Sequence, residues 1–389
     1  MSFDILLQNP ETDITERWVH SSETLTADNG KEQRISLASL PKRSWSGSFL
    51  FDDEGDVRRH VATMFNKFAT SFNWPLWTEQ TKLKAAAAIG ANALVCNTVR
   101  SDLREGALAI VAEGAKYEVV TVNAIASDGF TITGTLANSF TKRARVCPIV
   151  PVYSANNAAI IRKTSNDYAQ VNFSFYEYGF QDPFLTEDAT QTLEMFAGYP
   201  VLNKRAFGTD FQENLITGLE VTDYGGQPSL RSRWDNSQFG RALSFLCNRT
   251  FDPNDWAWWK TFADYCRGST NPFFIPTFRP DFEIYTAAVG GGSTIVIADT
   301  AYSTVFQGKE AFSTIAITKP DGTQHFATVT GVTTALGRDT LTFSPALPAG
   351  TWTGQTLGLL LKCRIADDTV SILHSASHSV VTINLRTVD

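Results

Sequence analysis

The sequence predicts a mainly β fold, a β-sandwich or barrel architecture with one flanking helix in each of two tandem repeats. Two observations lead to this fold class. Short apolar runs bounded by turn residues recur at intervals of roughly 8–12 residues, which is typical of sandwiches and small barrels. Segments of the first half also match segments of the second half at a nearly constant spacing, which indicates a repeated unit.

The matching segments predict an internal tandem duplication. The sequence SFL at 48–50 returns at 244–246, 196 residues later (244 − 48). Pro75 matches Pro272, 197 residues later (272 − 75), and ETDI at 11–14 resembles GTDF at 208–211. We expect residues 1–178 and 198–389 to be two copies of one unit, with helices near 54–70 and 253–267 in equivalent places.

Each copy is predicted to contain a helix-bearing β piece followed by a small β-barrel or sandwich. The first piece has strands, one helix and a return strand marked by proline, whereas the second piece reads as strands and turns only. The turn KPDGTQ, for example, uses Pro320 to preset φ and Gly322 to accept a positive φ. The predicted boundaries are 1–84 and 85–178 for copy 1, 179–197 for a linker, and 198–284 and 285–389 for copy 2.

In copy 1 the strand pattern precedes the helix. Trp45, Phe49 and Phe51 have nearly period-2 spacing in QRISLASLPKRSWSGSFLF, as in a strand with one buried face. The next segment, DDEGDVRRHVATMFNKFATSF, is helical, and its early aspartates favour the positive end of the helix dipole. The apolar stripe of this helix comprises Val57, Val61, Phe65 and Phe68.

In copy 2 the helix is FDPNDWAWWKTFADYCRG. Asp252 is the expected N-cap, with Pro253 at the first helical position and Gly268 after the last turn. Its apolar stripe comprises Trp258, Phe262 and Tyr265. Trp256, Trp258 and Trp259 cannot all face one side of a single helix, so at least one should pack against another piece or another chain.

The stretch SFNWPLWTEQTKL, at 71–83, has two possible interpretations: a platform on which sugars stack, or a strand and turn buried in a core. Copy 2 aligns NPFF at 271–274 with WPLW at 74–77, so bulk is retained while the particular aromatic residues change. Core packing requires bulk, whereas a sugar platform requires particular rings. We therefore predict that Trp74 and Trp77 are mostly buried, in a core or a subunit contact.

Composition excludes several classes of protein. A net charge of −7 and a pI near 5.4 argue against a chain that coats nucleic acid, because phosphate neutralisation needs clustered Lys and Arg. The sequence has no run of about 18 apolar residues, so no membrane span is expected, and no signal peptide is expected either. The five cysteines are scattered without a C-x-x-C pair and are expected to be reduced, mostly buried thiols.

No segment has the residues and spacing of a catalytic, cofactor or metal site. The glycines of AAVGGGSTIV lack the lysine of a phosphate loop and predict a turn. His374 and His378 have helical spacing for a metal, but their surroundings favour strand and loop. DDEGD, at 52–56, resembles half a calcium loop but lacks the 12-residue spacing with a terminal Glu, and a helix start explains it. A catalytic pair of glycosidase carboxylates remains an alternative because the sequence has 40 Asp and Glu residues, but no particular pair is singled out. We expect no enzyme, no cofactor and no metal.

A family resemblance adds to this interpretation. EQRISLASLPKRSWSGSFLF, at 32–51, followed by a helix and by FNWPLW, at 72–77, resembles distal tail and baseplate proteins of long-tailed bacteriophages and their relatives in gene-transfer agents. The resemblance covers the helix-bearing piece of each copy and hardly reaches the barrel pieces. It implies a tail-tube-like β unit with a flanking helix that assembles into rings continuing the tail tube, usually as hexamers of a single copy.

The duplication modifies that implication. Two units per chain allow three chains to form a ring of six similar positions, which could meet a six-fold tube on one face and a hub or fibres on the other. The expected protein is thus a structural component of the virion tail tip, assembled in the host cytoplasm. Its expected partners are itself as a trimer or hexamer, the tube, hub and fibre proteins, and DNA in transit. The alternatives are a carbohydrate-binding receptor module and a tail-associated cell-wall hydrolase.

Overall fold

The computed structural model confirms a mainly β fold, built around large antiparallel sheets with two described α-helices. Of the predicted linker 179–197, residues 180–190 lie outside the described part of the chain. The structure describes residues 5–7, 10, 13–27, 32–67, 70–98, 101–114, 116–155, 161–165, 168–179, 191–207, 213–217, 219–223, 228–232, 238–248, 252–375 and 378–388.

The described part of the first half contains thirteen strands and one α-helix, α1 (Glu54–Lys67), with a 3-10 turn at Trp77–Glu79. Its strands are β1 (Ile14–Val19), β2 (Ser22–Thr26), β3 (Glu32–Ser36), β4 (Lys42–Phe51), β5 (Phe72–Pro75), β6 (Thr81–Lys82), β7 (Ala93–Val95), β8 (Leu108–Glu113), β9 (Lys116–Ala126), β10 (Gly129–Ile132), β11 (Arg145–Ser154), β12 (Ile161–Ser165) and β13 (Tyr168–Glu177).

The second half contains sixteen described strands and helix α2 (Pro253–Cys266). Its strands are β14 (Met195–Phe196), β15 (Tyr199–Pro200), β16 (Ala206–Phe207), β17 (Glu213–Ile216), β18 (Leu219–Asp223), β19 (Pro228–Ser232), β20 (Gln238–Cys247), β21 (Phe273–Pro276), β22 (Ile284–Thr286), β23 (Thr294–Ile297), β24 (Thr314–Thr318), β25 (Gln324–Ala335), β26 (Arg338–Ser344), β27 (Thr356–Ile365), β28 (Thr369–His374) and β29 (Ser379–Thr387). Short π and 3-10 turns occupy Tyr302–Phe306 and Glu310–Phe312.

The two halves pair their strands in the same order. In the first half the helix-bearing sheet runs β12–β13–β4–β1, and β13 also pairs with β11, which pairs with β5. In the second half the corresponding strands run β28–β29–β20–β17, with β29 pairing to β27 and β27 to β21. The strand-and-turn pieces run β7–β10–β9–β8–β11 and β23–β26–β25–β24–β27.

One long strand joins the two pieces of each half. The beginning of β11 pairs with β6 and β8, and its end pairs with β5 and β13. In the second half β27 likewise pairs with β24 at its beginning and with β29 at its end. Each strand-and-turn piece is therefore a continuation of the helix-bearing sheet rather than a unit on a flexible tether.

The strand pairing corrects one part of the predicted alignment. Pro75 lies opposite Ile149 in β11, and its counterpart in the second half is Pro276, opposite Leu360 in β27. Pro272, the residue aligned with Pro75 from sequence, precedes β21 instead. The loops on both sides of α2 are longer than those on both sides of α1. The spacing between matching residues of the two halves is therefore not constant after β4 and β20. FNWP and FFIP are the corresponding segments.

The two helices begin as predicted. The side chain of Asp252 accepts a hydrogen bond from the Asn254 backbone N–H at 3.0 Å, with Pro253 at the first helical position. Asp53 accepts from the Gly55 and Asp56 backbone N–H groups at the start of α1, so DDEGD is a helix start.

Asp252→Ala is expected to lower the free energy of unfolding by about 1 kcal/mol, because one backbone N–H of α2 loses its partner. Asp252→Ser should retain most of the stability, since a hydroxyl can also cap. Urea unfolding of the two variants and the wild type measures both effects. Equal losses in the Ala and Ser variants would show that the cap is not the cause.

Burial of the aromatic stretch is confirmed. Trp74 has no exposed surface and Trp77 is 8% exposed, and both belong to a core that includes Trp45, Phe49 and Phe51. The Trp45 and Trp74 ring centroids lie 5.4 Å apart. In α1, Val57 is buried and Val61 half-buried, whereas the side chains of Phe65 and Phe68 are outside the described part. The rings of FNWPLW therefore pack a core and do not form a sugar platform.

Other local predictions also hold. All five cysteines are buried, and none forms a disulfide. In KPDGTQ, Gly322 has φ 87° and donates its backbone N–H to the Lys319 carbonyl, which closes the β24–β25 hairpin. The glycines at 290–292 form a turn before β23, where a Cβ at Gly290 would meet the Gly350 carbonyl oxygen. Neither described α-helix exceeds 14 residues, and no helix in the described ranges could cross a bilayer.

Candidate functional site: the junction between the two halves

A strand pair joins the two halves into one sheet. Strand β1 pairs with β4 on one side and with β28 of the second half on the other. The β1–β28 register is antiparallel and runs from Ile14 opposite His374 to Val19 opposite Thr369. The resulting sheet has the order β12–β13–β4–β1–β28–β29–β20–β17. We call the β1–β28 pair, with the side chains that surround it, the junction.

A buried acid–histidine pair lies at the centre of the junction. His374 Nε2 is 2.9 Å from Glu16 Oε2, and His374 Nδ1 is 2.8 Å from Ser379 Oγ. The indole N–H of Trp18 donates to the other oxygen, Oε1, of Glu16 at 2.7 Å. Both side chains of the pair are only 2% exposed. Two side chains, His374 and Trp18, therefore satisfy a carboxylate that would be costly to bury alone.

The pKa of Glu16 reflects this competition. Burial by itself raises the pKa of the carboxyl group, but the hydrogen bond and charge of His374 and the charge of Arg43 outweigh it. Together these interactions lower the pKa of Glu16 from 4.5 to about 2. Because the ionised form is favoured in the folded state, its contribution to stability is present above the unfolded pKa and is lost as the pH falls toward 2.

The stability difference between the wild type and Glu16→Gln should therefore depend on pH. We expect this difference in the free energy of unfolding to be largest at pH 7 and to shrink once the pH falls below about 4.5. By pH 2 it should be smaller by on the order of 3 kcal/mol. Urea unfolding of both proteins at successive pH values measures the difference, in which carboxylates common to both proteins cancel. A difference that is constant between pH 7 and pH 3 would contradict the role assigned to Glu16.

Trp18 inserts into the core of the opposite half. It is 1% exposed and belongs to the hydrophobic cluster of the second half, where its ring centroid lies 5.6 Å from that of Trp256. Trp256, on α2, donates its indole N–H to Glu79 Oε1 of the first half at 3.1 Å. One tryptophan of α2 thus packs against another piece, as its helical position predicts.

A second buried ion pair crosses between the halves beside these rings. Lys260 Nζ on α2 is 2.9 Å from Glu79 Oε1 in the 3-10 turn of the first half, with both side chains at most 4% exposed. The Lys260 ammonium also lies 5.5 Å from the centre of the Trp256 ring. Burial raises the pKa of Glu79, and Lys260 opposes that rise. Helix α2 therefore contacts both halves.

Behind the junction, Arg43 on β4 bridges two buried carboxylates. Its guanidinium contacts Glu177 through two N–H groups, at 3.1 and 2.6 Å, and Asp102 through a third at 2.8 Å. Arg104 contacts the second oxygen of Asp102 at 2.7 Å. Burial alone would lower the pKa of Arg43, but Asp102 and Glu177 raise it above its ordinary value. The cluster ties β4 and β13 to the loop before β8.

The β2–β3 hairpin extends the junction over the second half. Ser22 Oγ lies 2.7 Å from Ser269 Oγ and 2.8 Å from Asp368 Oδ1, and the Ser22 backbone N–H donates to Asp368 Oδ2 at 2.7 Å. Glu32 on β3 pairs with Arg386 on β29 at 3.1 Å. The junction therefore combines strand pairing, two tryptophans, three acid–base pairs and a docked hairpin.

Sequence reasoning predicted no site residues and did not find the junction. Of the candidate metal ligands that it weighed, His374 lies there. This residue ends β28, while His378 precedes β29, so the two histidines are not on a helix. A signal was present in the alternation of ITERWVH and KRSW, where Glu16 and Arg43 share the phase of buried apolar residues. Charged residues in the buried phase of a strand indicate a paired, buried charge.

Neither a scan against protein-family models nor a search of curated proteins found a significant match to this sequence. The geometry of the fold and of the junction is therefore the basis on which a function can be proposed.

Proposed function

We propose that this protein is a structural component of a bacteriophage tail tip or baseplate, where it forms a ring that continues the tail tube and adapts it to the hub or fibres. The observation that carries the proposal is the junction, which holds two units of the same strand order edge to edge in one sheet. Units joined in this way are suited to a ring with a continuous wall.

We infer from the shared strand order that the two halves are tandem copies of one unit. The order β12–β13–β4–β1 has its equivalent in β28–β29–β20–β17, and both helices lie between corresponding strands. Three such chains would supply six similar positions around an axis. This trimer with pseudo-six-fold symmetry matches a six-fold tube on one face and a three-fold hub on the other.

The buried clusters support a structural rather than a catalytic role. The carboxylates of Glu16, Glu79 and Asp102 are each at most 2% exposed and each is held by a cationic or imidazole partner. A catalytic carboxylate must reach its substrate, whereas these groups fix one half against the other. The acidic net charge also suits a channel past which DNA slides without sticking.

Two measurements test the proposal. Antibody labelling of intact phage particles, viewed by electron microscopy, should place the protein at the distal end of the tail. Native mass measurement and electron microscopy of the purified protein should show rings of three chains around an open channel. Absence from the virion, or labelling of the capsid, would refute the tail-tip assignment. Six chains in the ring would refute the trimer and leave the location intact.

A further inference from the structure

The long sheet of one chain ends in two different strands. Among the residues that the structure describes, β12 pairs only with β13 and β17 pairs only with β20. These strands are the two edges of the order β12–β13–β4–β1–β28–β29–β20–β17. An uncovered strand edge offers backbone N–H and C=O groups to another strand, and natural proteins usually cover or protect such edges.

The two edges are counterparts of the strands that meet at the junction. Strand β17 occupies the place of β1: Glu213 lies opposite Arg241 of β20, as Glu16 lies opposite Trp45 of β4. Strand β12 occupies the place of β28, because each is the outer strand of a hairpin beside β13 or β29. The sheet of one chain therefore has one edge strand that corresponds to β1 and one that corresponds to β28. Strands β1 and β28 are the two that pair with each other at the junction.

The β17 edge has the exposed apolar surface that such a contact would cover. Leu215 is the counterpart of Trp18 and is 61% exposed, whereas Trp18 is 1% exposed beneath the second half. The β18–β19 hairpin, the counterpart of the docked β2–β3 hairpin, exposes Leu219, Val221 and Leu230 by 51–65%. Exposed apolar side chains on an open edge and on the hairpin that follows it in the chain indicate an interaction surface.

We propose that strand β12 of one copy pairs antiparallel with strand β17 of the next copy and thereby repeats the β1–β28 junction between chains. This inference deepens the proposed ring function, on which it rests, and names its occupant as a second copy of this chain. The contact joins different surfaces of the two copies, so it propagates head to tail and closes into a ring where the rotation between units allows.

The intrachain junction sets the register of the contact. Ile161 lies opposite Val171 in the first half, as Ile372 lies opposite Val381 in the second, so Ile161 corresponds to Ile372. Because Glu16 faces Ile372, Glu213 is expected opposite Ile161 of the neighbouring copy.

The sequence repeats the charge pattern of the junction in this register. His374, two residues after Ile372, is the partner of Glu16. Lys163, two residues after Ile161, takes the same register position relative to Glu213. An acid on the β1-type strand therefore has a basic residue on the β28-type strand in both contacts.

Cysteine cross-linking tests the register. Directly opposite residues of antiparallel strands have Cα atoms about 4.5–5.5 Å apart, within the range that a disulfide spans. The variant I161C/E213C should form disulfide-linked dimers and trimers under mild oxidation, seen on a non-reducing gel. A matched control, K163C/I216C, lies five residues out of register, or about 17 Å along the strand, and should stay monomeric.

Surface variants test the interface without disturbing the fold. Leu215→Lys should abolish association at micromolar concentration and leave the melting temperature of the chain unchanged, because Leu215 is exposed in the single chain. Ile89→Lys, at another exposed position, should have no effect on assembly. Glu213→Lys should weaken association by about ten-fold or more, and the charge-swapped K163E/E213K should restore most of it.

The outcomes separate this inference from the proposed function. Tail-tip labelling and rings that persist in Leu215→Lys, without the I161C/E213C cross-link, would overturn the β12–β17 contact and leave the function standing. A cross-link from I161C or E213C to a different tail protein would likewise overturn it, since the occupant would not be a second copy. A protein absent from the tail would refute the function even if the cross-link formed.

Discussion

Replacing Arg43 with methionine is expected to lower the free energy of unfolding by about 3–5 kcal/mol. The arginine is 1% exposed and supplies three N–H contacts to Asp102 and Glu177, whose side chains are at most 2% exposed. Methionine fills similar space but leaves Glu177 with an uncompensated buried charge and leaves Asp102 only Arg104. The cost arises from the stranded carboxylates more than from the lost attraction.

Urea unfolding at pH 7 measures this effect, and Arg58→Met is the matched control. Arg58 pairs with Glu54 at 3.0 Å on the surface of α1, with 77% of its side chain exposed. Exposed pairs of this kind contribute about 1 kcal/mol or less, so the control should unfold nearly as the wild type does. A loss of similar size in both variants would mean that burial of Arg43 is not what makes its pairs important.

Trp77→Ala is expected to have a comparable effect, about 3–5 kcal/mol, because the ring is largely buried in the first-half core with Trp74 and Leu76. Removal of the indole leaves a cavity that neighbouring strands β5 and β11 can fill only in part. Trp77→Phe should recover a substantial fraction of the loss, since it retains an aromatic ring.

The exposed Tyr178 provides the comparison for Trp77. It is 57% exposed, so Tyr178→Ala removes an aromatic ring from the surface and should change stability by less than about 0.5 kcal/mol. Thermal and urea unfolding of the three variants give the comparison. An unchanged melting temperature in Trp77→Ala would reopen the carbohydrate interpretation of this stretch.

The features that could be predicted from the sequence are local ones. The α2 cap at Asp252 depends on residues within two positions of each other, and the hairpin at Gly322 depends on a four-residue turn. The burial of Trp74 follows from residue type and from retained bulk. Mainly β structure follows from short apolar runs and frequent turns, which are likewise visible in short windows.

The junction could not be predicted in this way, because it depends on contacts between distant parts of the chain. Glu16 and His374 are 358 positions apart, and nothing in either segment specifies the other. The alignment of Pro75 failed for a related reason: loop lengths beside the two helices differ, and only the register with β11 and β27 identifies Pro276 as its counterpart. The one indication of the junction in the sequence was that Glu16 and Arg43 occupy positions in the buried phase of their strands.

The pairing of β1 with β28 also has a consequence for synthesis on the ribosome. Strand β1 is translated before its partner, which follows about 350 residues later, a delay of roughly 20–70 s at typical elongation rates. During that delay the nascent first half presents Trp18 and an open strand edge to every neighbouring chain on the same messenger. Chains released before β28 should therefore exchange β1 with one another and co-aggregate, whereas chains that include β28 and β29 cover the edge with that hairpin.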